Sequence, residues 1–244
     1  IMPDRLIHLE SVDSTNLHCK REFDSLADGA LVYADMQTAG RGRLGRKWLS
    51  PPCNFYGSAV FKQCFDGFGA TMTLSLAALD VLHELVPEMD VYIKWPNDLF
   101  CGRAKLAGML CEGVLDNHNR LKGVIAGLGV NLNMTGDDLA AIGQAAVSVL
   151  SVANRRIIPD FFAKKLAFYL NRRYIIYLNS PESVFAEWRD ANRLIGRRIK
   201  VIGFKGSEEG IFRDVAESGE MLLETSGGIK KINSGDVSID KGSL

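Results

Sequence analysis

The chain has 244 residues, 47 % of them hydrophobic, and its 29 Lys and Arg balance 29 Asp and Glu. That neutrality excludes a global field that would draw the protein to nucleic acid or to an anionic membrane, so any basic site must be local. No run of roughly 18 apolar residues reads as a membrane span, and the start, Ile1-Met2-Pro3-Asp4, lacks the charged and apolar regions of a signal peptide. Five cysteines (Cys19, Cys53, Cys64, Cys101, Cys111) form no Cys-x-x-Cys pair, and an odd number cannot all be paired, so a reducing cytoplasm is the expected setting.

In chain order, Ser14-Thr15-Asn16 follows Val12-Asp13 and opens a helix from Leu17, where a hydroxyl caps the first turn. Leu31–Tyr33, Asn54–Phe61, Val91–Trp95 and Val124–Val130 are short, β-branched or aromatic, and bounded by Gly, Pro or Asn; each predicts a strand. Helical spacing runs from Thr71 to Val86 through Met72, Leu76, Leu79 and Leu82, and again from Asp160 to Tyr177. Two apolar runs between Leu99 and Val114 flank Cys101-Gly102-Arg103-Ala104 and predict a hairpin that brings Lys105 close to Lys94-Trp95-Pro96-Asn97-Asp98. Ser180-Pro181-Glu182 opens a further helix with an N-cap and an early proline, running to about Asn192.

Beyond Ile195 the texture changes. Runs at Arg198–Ile202, Gly210–Val215, Glu220–Glu224, Ile229–Ile232 and Asp236–Ile239 alternate with Gly, Ser and Asn turns, which predicts a small all-β barrel. The expected organisation is a mixed α/β (α+β) domain over residues 1–192, its mixed sheet flanked by helices, followed closely by a β domain over 193–244.

The strongest chemical signal is Gln37-Thr38-Ala39-Gly40-Arg41-Gly42-Arg43-Leu44-Gly45-Arg46-Lys47-Trp48. Four of the seven residues from Arg41 to Lys47 are basic, and no acidic residue lies between Asp35 and Asp66. Glycines let the backbone approach a ligand, and planar guanidinium groups suit paired contacts to carboxylate and phosphate oxygens. Taken alone, such a loop reads equally as a solvated segment or one that touches RNA. Lys105 is a compact charge able to sit between a carboxylate and a phosphate; without its neighbours it reads as a solvent lysine on a hairpin.

Together these motifs resemble the biotin protein ligase family: Ser14-Thr15-Asn16, then Gly40-Arg41-Gly42-Arg43-Leu44-Gly45-Arg46 with Trp48, then Lys94-Trp95-Pro96-Asn97-Asp98 and Lys105-Leu106-Ala107-Gly108. Gly127-Leu128-Gly129-Val130-Asn131-Leu132-Asn133 resembles the strand and turn that follow in that family. The resemblance implies a class II synthetase-like, lipoate-biotin ligase catalytic domain and a small C-terminal SH3-like β-barrel. It implies activation of biotin by ATP, with Mg2+ on the phosphates, to biotinyl-5'-AMP, then transfer to a lysine of a biotin carboxyl carrier protein.

By the same resemblance, Ser14, Thr15, Asn16, Gln37, Gly40, Arg41, Gly42, Arg43, Lys105 and Gly108 bind biotin. Arg43, Arg46, Trp48, Asn97, Lys105 and Asn131 bind the nucleotide, and Lys105 and Arg43 are catalytic. No protein metal ligand is assigned, and His8, His18, His83 and His118 are packing or surface residues. The segment from Met134 to Gly143 is short for an adenylate-covering loop, so no residue there is assigned.

Because the Ser14-Thr15-Asn16 motif falls within the first twenty residues, the expectation is a ligase without an N-terminal DNA-binding domain and without a nucleic-acid or membrane partner. A homodimer through a strand edge, as in some members, is compatible with the resemblance. Lipoate or octanoate ligases and transferases of the same architecture are the rival reading, and a nucleic-acid-binding protein the more distant one.

Overall fold

A computed structural model describes residues 5–63, 66–203 and 206–239. Cys64 therefore lies outside the described residues. The elements are, in order, β1 (Leu6–Val12), α1 (Thr15–Arg21), β2 (Leu31–Gln37), β3 (Phe55–Phe61), α2 (Gly67–Leu85), β4 (Val91–Lys94), β5 (Asp98–Cys101), β6 (Ala104–Leu115) and β7 (Leu121–Val130). Helices α3 (Gly136–Ala140), α4 (Val149–Ala153), α5 (Pro159–Asn179) and α6 (Pro181–Asp190) follow, then strands β8 (Arg198–Gly203), β9 (Gly206–Val215), β10 (Met221–Thr225), β11 (Gly228–Ile232) and β12 (Asp236–Ile239).

The first seven strands form one mixed sheet in the order β1-β2-β3-β7-β6-β5-β4. Only β1 and β2 run parallel; the other neighbours are antiparallel. Strand alternation divides the side chains between two faces. Phe55, Ala59 and Phe61 of β3 and Val124, Ala126, Leu128 and Val130 of β7 enter the large core under α2 and α5. Val60 and Ile125, one residue out of step, join a smaller cluster with Cys19 and Phe23 beside α1.

Helix boundaries differ from the sequence reading by one to four residues, most at the start of α2. α2 starts at Gly67 because the Asp66 carboxylate accepts the Phe68 and Gly69 N–H groups at 2.9 and 3.1 Å, so the cap extends the helix beyond its apolar repeat. α6 stops at Asp190, and the Ser180 hydroxyl bonds the Glu182 carboxylate instead of capping the backbone, while its N–H closes α5 on Ile176. On α5 the core face is Phe162, Ala163, Leu166, Leu170 and Tyr174, leaving Phe161 and Phe168 half-exposed. No helix among the described residues is long and apolar enough to cross a membrane.

The remaining strands build a five-stranded antiparallel sheet in the order β11-β10-β9-β8-β12. Its inward residues, among them Phe212, Met221 and Leu223, belong to the same continuous core as α2 and α6. At the junction the Trp95 indole donates to the Gly219 carbonyl at 2.9 Å. Gly219 has φ +95°, and a Cβ there would fall 2.7 Å from the Phe68 ring, so both backbone and packing demand glycine.

Candidate active site

The site lies on the face of the mixed sheet opposite α2. Its floor comes from strand alternation: Gly108 and Glu112 of β6 and Gly127 and Gly129 of β7 point to this side, with Gly108 opposite Gly129 and Leu110 opposite Gly127. The glycines make room for flat-lying side chains. A Cβ on Gly129 would stand 2.5 Å from the Trp48 ring, one on Gly108 would stand 2.8 Å from Lys105 Cε, and one on Gly127 would collide with Asn16.

At one end, the start of α1 forms a buried polar shelf. Ser14 Oγ accepts the Leu17 N–H and so caps the helix. The Gln37 side-chain oxygen accepts from the Thr15 N–H at 2.9 Å and the Thr15 hydroxyl at 3.2 Å, while its amide donates to Ser50 at 3.0 Å. Asn16 donates to the Leu110 carbonyl and to Glu112, and Ser58 donates to it at 2.6 Å. Each group is fixed by another, which leaves this polar shelf little freedom to adapt.

The basic loop closes over this floor. An Arg41–Lys47 bridge pinches it, Trp48 N–H bonds the Gly40 carbonyl at 2.9 Å, and Leu44 and Gly45 turn through φ of 57° and 73°. Side chains then tie it down. Arg41 pairs with Glu112 at 3.2 Å, Arg43 donates to Asn97 at 2.7 Å, and Arg46 meets Asp236 of β12 at 2.8 Å. Burial lowers the pKa of Arg43, with Asp98 and Asp236 opposing it; a guanidinium stays charged even so.

Lys105 pairs with Asp98 at 2.7 Å, and its ammonium lies 5.4 Å from the centre of the Trp48 ring. Trp48 separates two cavities of about 290 Å³ each. The first runs from the Ser14–Asn16 shelf past Arg43 to Lys105 and reaches Asp236 of the second sheet. The other lies behind Trp48 and is bounded by Asn131, Ile142, Gly143 and Gln144.

Of the sequence-assigned residues, Ser14, Thr15, Asn16, Gln37, Arg41, Gly42, Arg43, Arg46, Trp48, Asn97, Lys105 and Gly108 line the first cavity together. Gly40 is not among the residues lining that cavity; a Cβ there would meet Trp48 O and come within 2.5 Å of Ser50 Oγ, so only glycine fits at this turn into the loop. Asn131 borders only the cavity behind Trp48, and its amide donates to the Val147 carbonyl at 3.1 Å.

Sequence reasoning missed Glu112, Ser58, Asp236 and Lys94. Period-two reading from Gly108 would have placed Glu112 on the site face, whereas nothing local marks Asp236. The segment left unassigned after Met134 supplies the outer wall, because the Lys105 and Val147 N–H groups bond Ala145 and Lys105 and hold it beside β6.

A glycine-floored sheet with this loop and a small C-terminal sheet defines a class. The model of the Biotin/lipoate A/B protein ligase family matches residues 8–131, and that of the Biotin protein ligase C terminal domain, the SH3-like module, matches residues 194–240. Among its relatives, the bifunctional ligase/repressor BirA of Salmonella typhimurium is 31 % identical over 236 residues, covering 95 % of this chain and 73 % of that one. The biotin–[acetyl-CoA-carboxylase] ligase of Paracoccus denitrificans is 31 % identical over 94 % of this chain and 98 % of its own. The biotin protein ligase of Aquifex aeolicus in complex with biotin and ATP superposes with a TM-score of 0.80 at 27 % identity, covering 96 % of this chain and 97 % of that one. The chain belongs to the biotin protein ligase family.

Proposed function

We propose that the protein is a biotin–[acetyl-CoA-carboxylase] ligase: it joins biotin to ATP as biotinyl-5'-AMP and passes the biotinyl group to a lysine of a biotin carboxyl carrier domain. The observation that carries this reading is the convergence of Arg43 and Lys105 on one cavity that also contains a neutral polar shelf. A biotin carboxylate oxygen attacks the α-phosphorus and the bond to the β-phosphate oxygen breaks, so two anions must meet. Fixed cations offset the charge that develops, and alignment removes a large entropic barrier.

In this reading the Ser14–Asn16 shelf and Gln37 take the polar head of biotin, the glycine floor takes its apolar rings, and Arg43 and Lys105 meet carboxylate and α-phosphate. The cavity behind Trp48 takes the adenine. Magnesium on the triphosphate would add to the positive charge that offsets the developing negative charge. In the second step the acceptor lysine's amine attacks the biotinyl carbonyl, AMP leaves, and the amine's proton is lost to solvent.

Pyrophosphate release with ATP, magnesium and either biotin or lipoate tests the reading before any carrier is added. Biotin-dependent release supports it; release with lipoate alone would transfer the assignment to the rival acid, and release with neither would overturn it.

A further inference from the structure

Lys94 shares a motif with Trp95, Asn97 and Asp98, which contact Gly219, Arg43 and Lys105, yet among the described residues it has no such partner. It ends the edge strand β4, in register with Asp98, and its side chain lines the same cavity as Arg43 and Lys105. Its ammonium lies 4.2 Å from the centre of the Phe100 ring. The carboxylates nearby are committed elsewhere: Asp98 to Lys105 at 2.7 Å and Asp236 to Arg46 at 2.8 Å. Among the described residues no ion pair or hydrogen bond holds the Lys94 ammonium.

An ammonium has three donors and loses hydration on burial, so packing on a ring alone is poor compensation. Burial indeed lowers its pKa, as does Lys105, while Asp98 and Asp236 act the other way. A methionine would fill the same space without that cost. A charge kept here without an anion is a charge kept for one that comes and goes.

Sheet order says which anion. Across the strands the site runs from the polar shelf beside β2, over the β7 and β6 glycines, to Lys105 on β6, Asp98 on β5 and Lys94 on β4. With the acid's polar head on the shelf, its carboxylate approaches the α-phosphate at Lys105 from the shelf side. In phosphoryl-type transfer, attacking and leaving oxygens stand roughly in line across the phosphorus. The leaving group therefore points onward, toward β4.

We propose that Lys94 is a catalytic residue of the adenylation step, its ammonium contacting the β- and γ-phosphate oxygens of ATP and the pyrophosphate that leaves. The proposal rests on the adenylation reading above. As the carboxylate oxygen bonds to the α-phosphorus, the electron pair of the breaking bond departs on pyrophosphate. No proton moves, and the Lys94 charge offsets the negative charge gained by the leaving oxygen.

The test separates the half-reactions in Lys94→Met. Biotin-dependent ATP–pyrophosphate exchange should fall about 100-fold, and inhibition by added pyrophosphate should weaken about tenfold, the scale of one lost charge-assisted hydrogen bond. Transfer from supplied biotinyl-5'-AMP to the carrier domain should continue at the wild-type rate, and Lys94→Arg should recover part of the exchange. Equal losses in both half-reactions, or unchanged exchange and pyrophosphate inhibition, would overturn the proposal and leave Lys94 a packing residue. If the methionine variant does not fold, the same readings are taken on Lys94→Gln. A wild-type enzyme without biotin-dependent exchange sinks the adenylation reading itself, a result distinguishable from an active wild type with an equally active variant.

Discussion

The two faces of the mixed sheet are made by the same strands and obey opposite rules. On β7, Val124, Ala126, Leu128 and Val130 fill the core, while the residues between them include Gly127 and Gly129, which carry no side chain at all. The core face is dense and apolar because burial of large side chains stabilises the fold. The site face is emptied so that Trp48, Asn16 and Lys105 can lie across it. One face is packed into the core and the other lines the cavity to which the chemistry is assigned in the proposed function, the two interleaved at single-residue spacing.

Substitutions on alternate residues should therefore separate the two properties. The largest effect is expected for Lys105→Met or Arg43→Met, which should reduce biotin-dependent pyrophosphate release by about 100-fold or more with little change in the urea midpoint. Normal release would remove that side chain from the chemistry. Next comes Leu128→Ala, on the core face: unfolding free energy should fall by about 2–5 kcal/mol, with turnover per folded molecule retained. Gly129→Val, the adjacent residue, should do the reverse. Displacing Trp48 should lower kcat/KM for ATP by at least about tenfold, a modest change in barrier, and a variant that loses stability while keeping kcat/KM breaks the comparison.

Smaller still is Asp236→Asn. The Arg46–Asp236 pair is 50 % and 57 % exposed, and exposed pairs contribute only about 0–1 kcal/mol. Its effect should appear chiefly as faster protease cleavage between Arg41 and Lys47, a cleavage that biotin with ATP should suppress. Cleavage indifferent to both the substitution and the substrates would show that the loop does not change with occupancy.

Much of this was legible beforehand where chemistry sits in contiguous sequence. The Gly40–Trp48 loop, the Lys94–Asp98 run and Lys105 announce themselves because like charges and glycines are costly without a purpose. The five strands after Ile195 were readable because their turns recur regularly. What escaped depends on distant partners. Asp236 matters through an arginine 190 residues away, and Glu112 through Arg41 and Asn16. At Gly40 the crowding comes from the Trp48 carbonyl and Ser50, and a glycine motif alone does not reveal which neighbours fill the space beside the backbone. Asn131 borders the cavity behind Trp48, where its amide donates to the Val147 carbonyl, a placement that depends on a residue sixteen positions further along the chain.

The contact of Trp95 and Phe68 with the Gly219 turn, together with a core that runs from α2 into β9 and β10 without a break, has a thermodynamic consequence. Neither sheet can expose its inner side chains without exposing those of the other. Heating should produce one calorimetric transition whose van't Hoff and calorimetric enthalpies agree, as for a single cooperative unit. A chain cut after residue 192 should leave the Trp95 indole facing water and melt well below the intact protein.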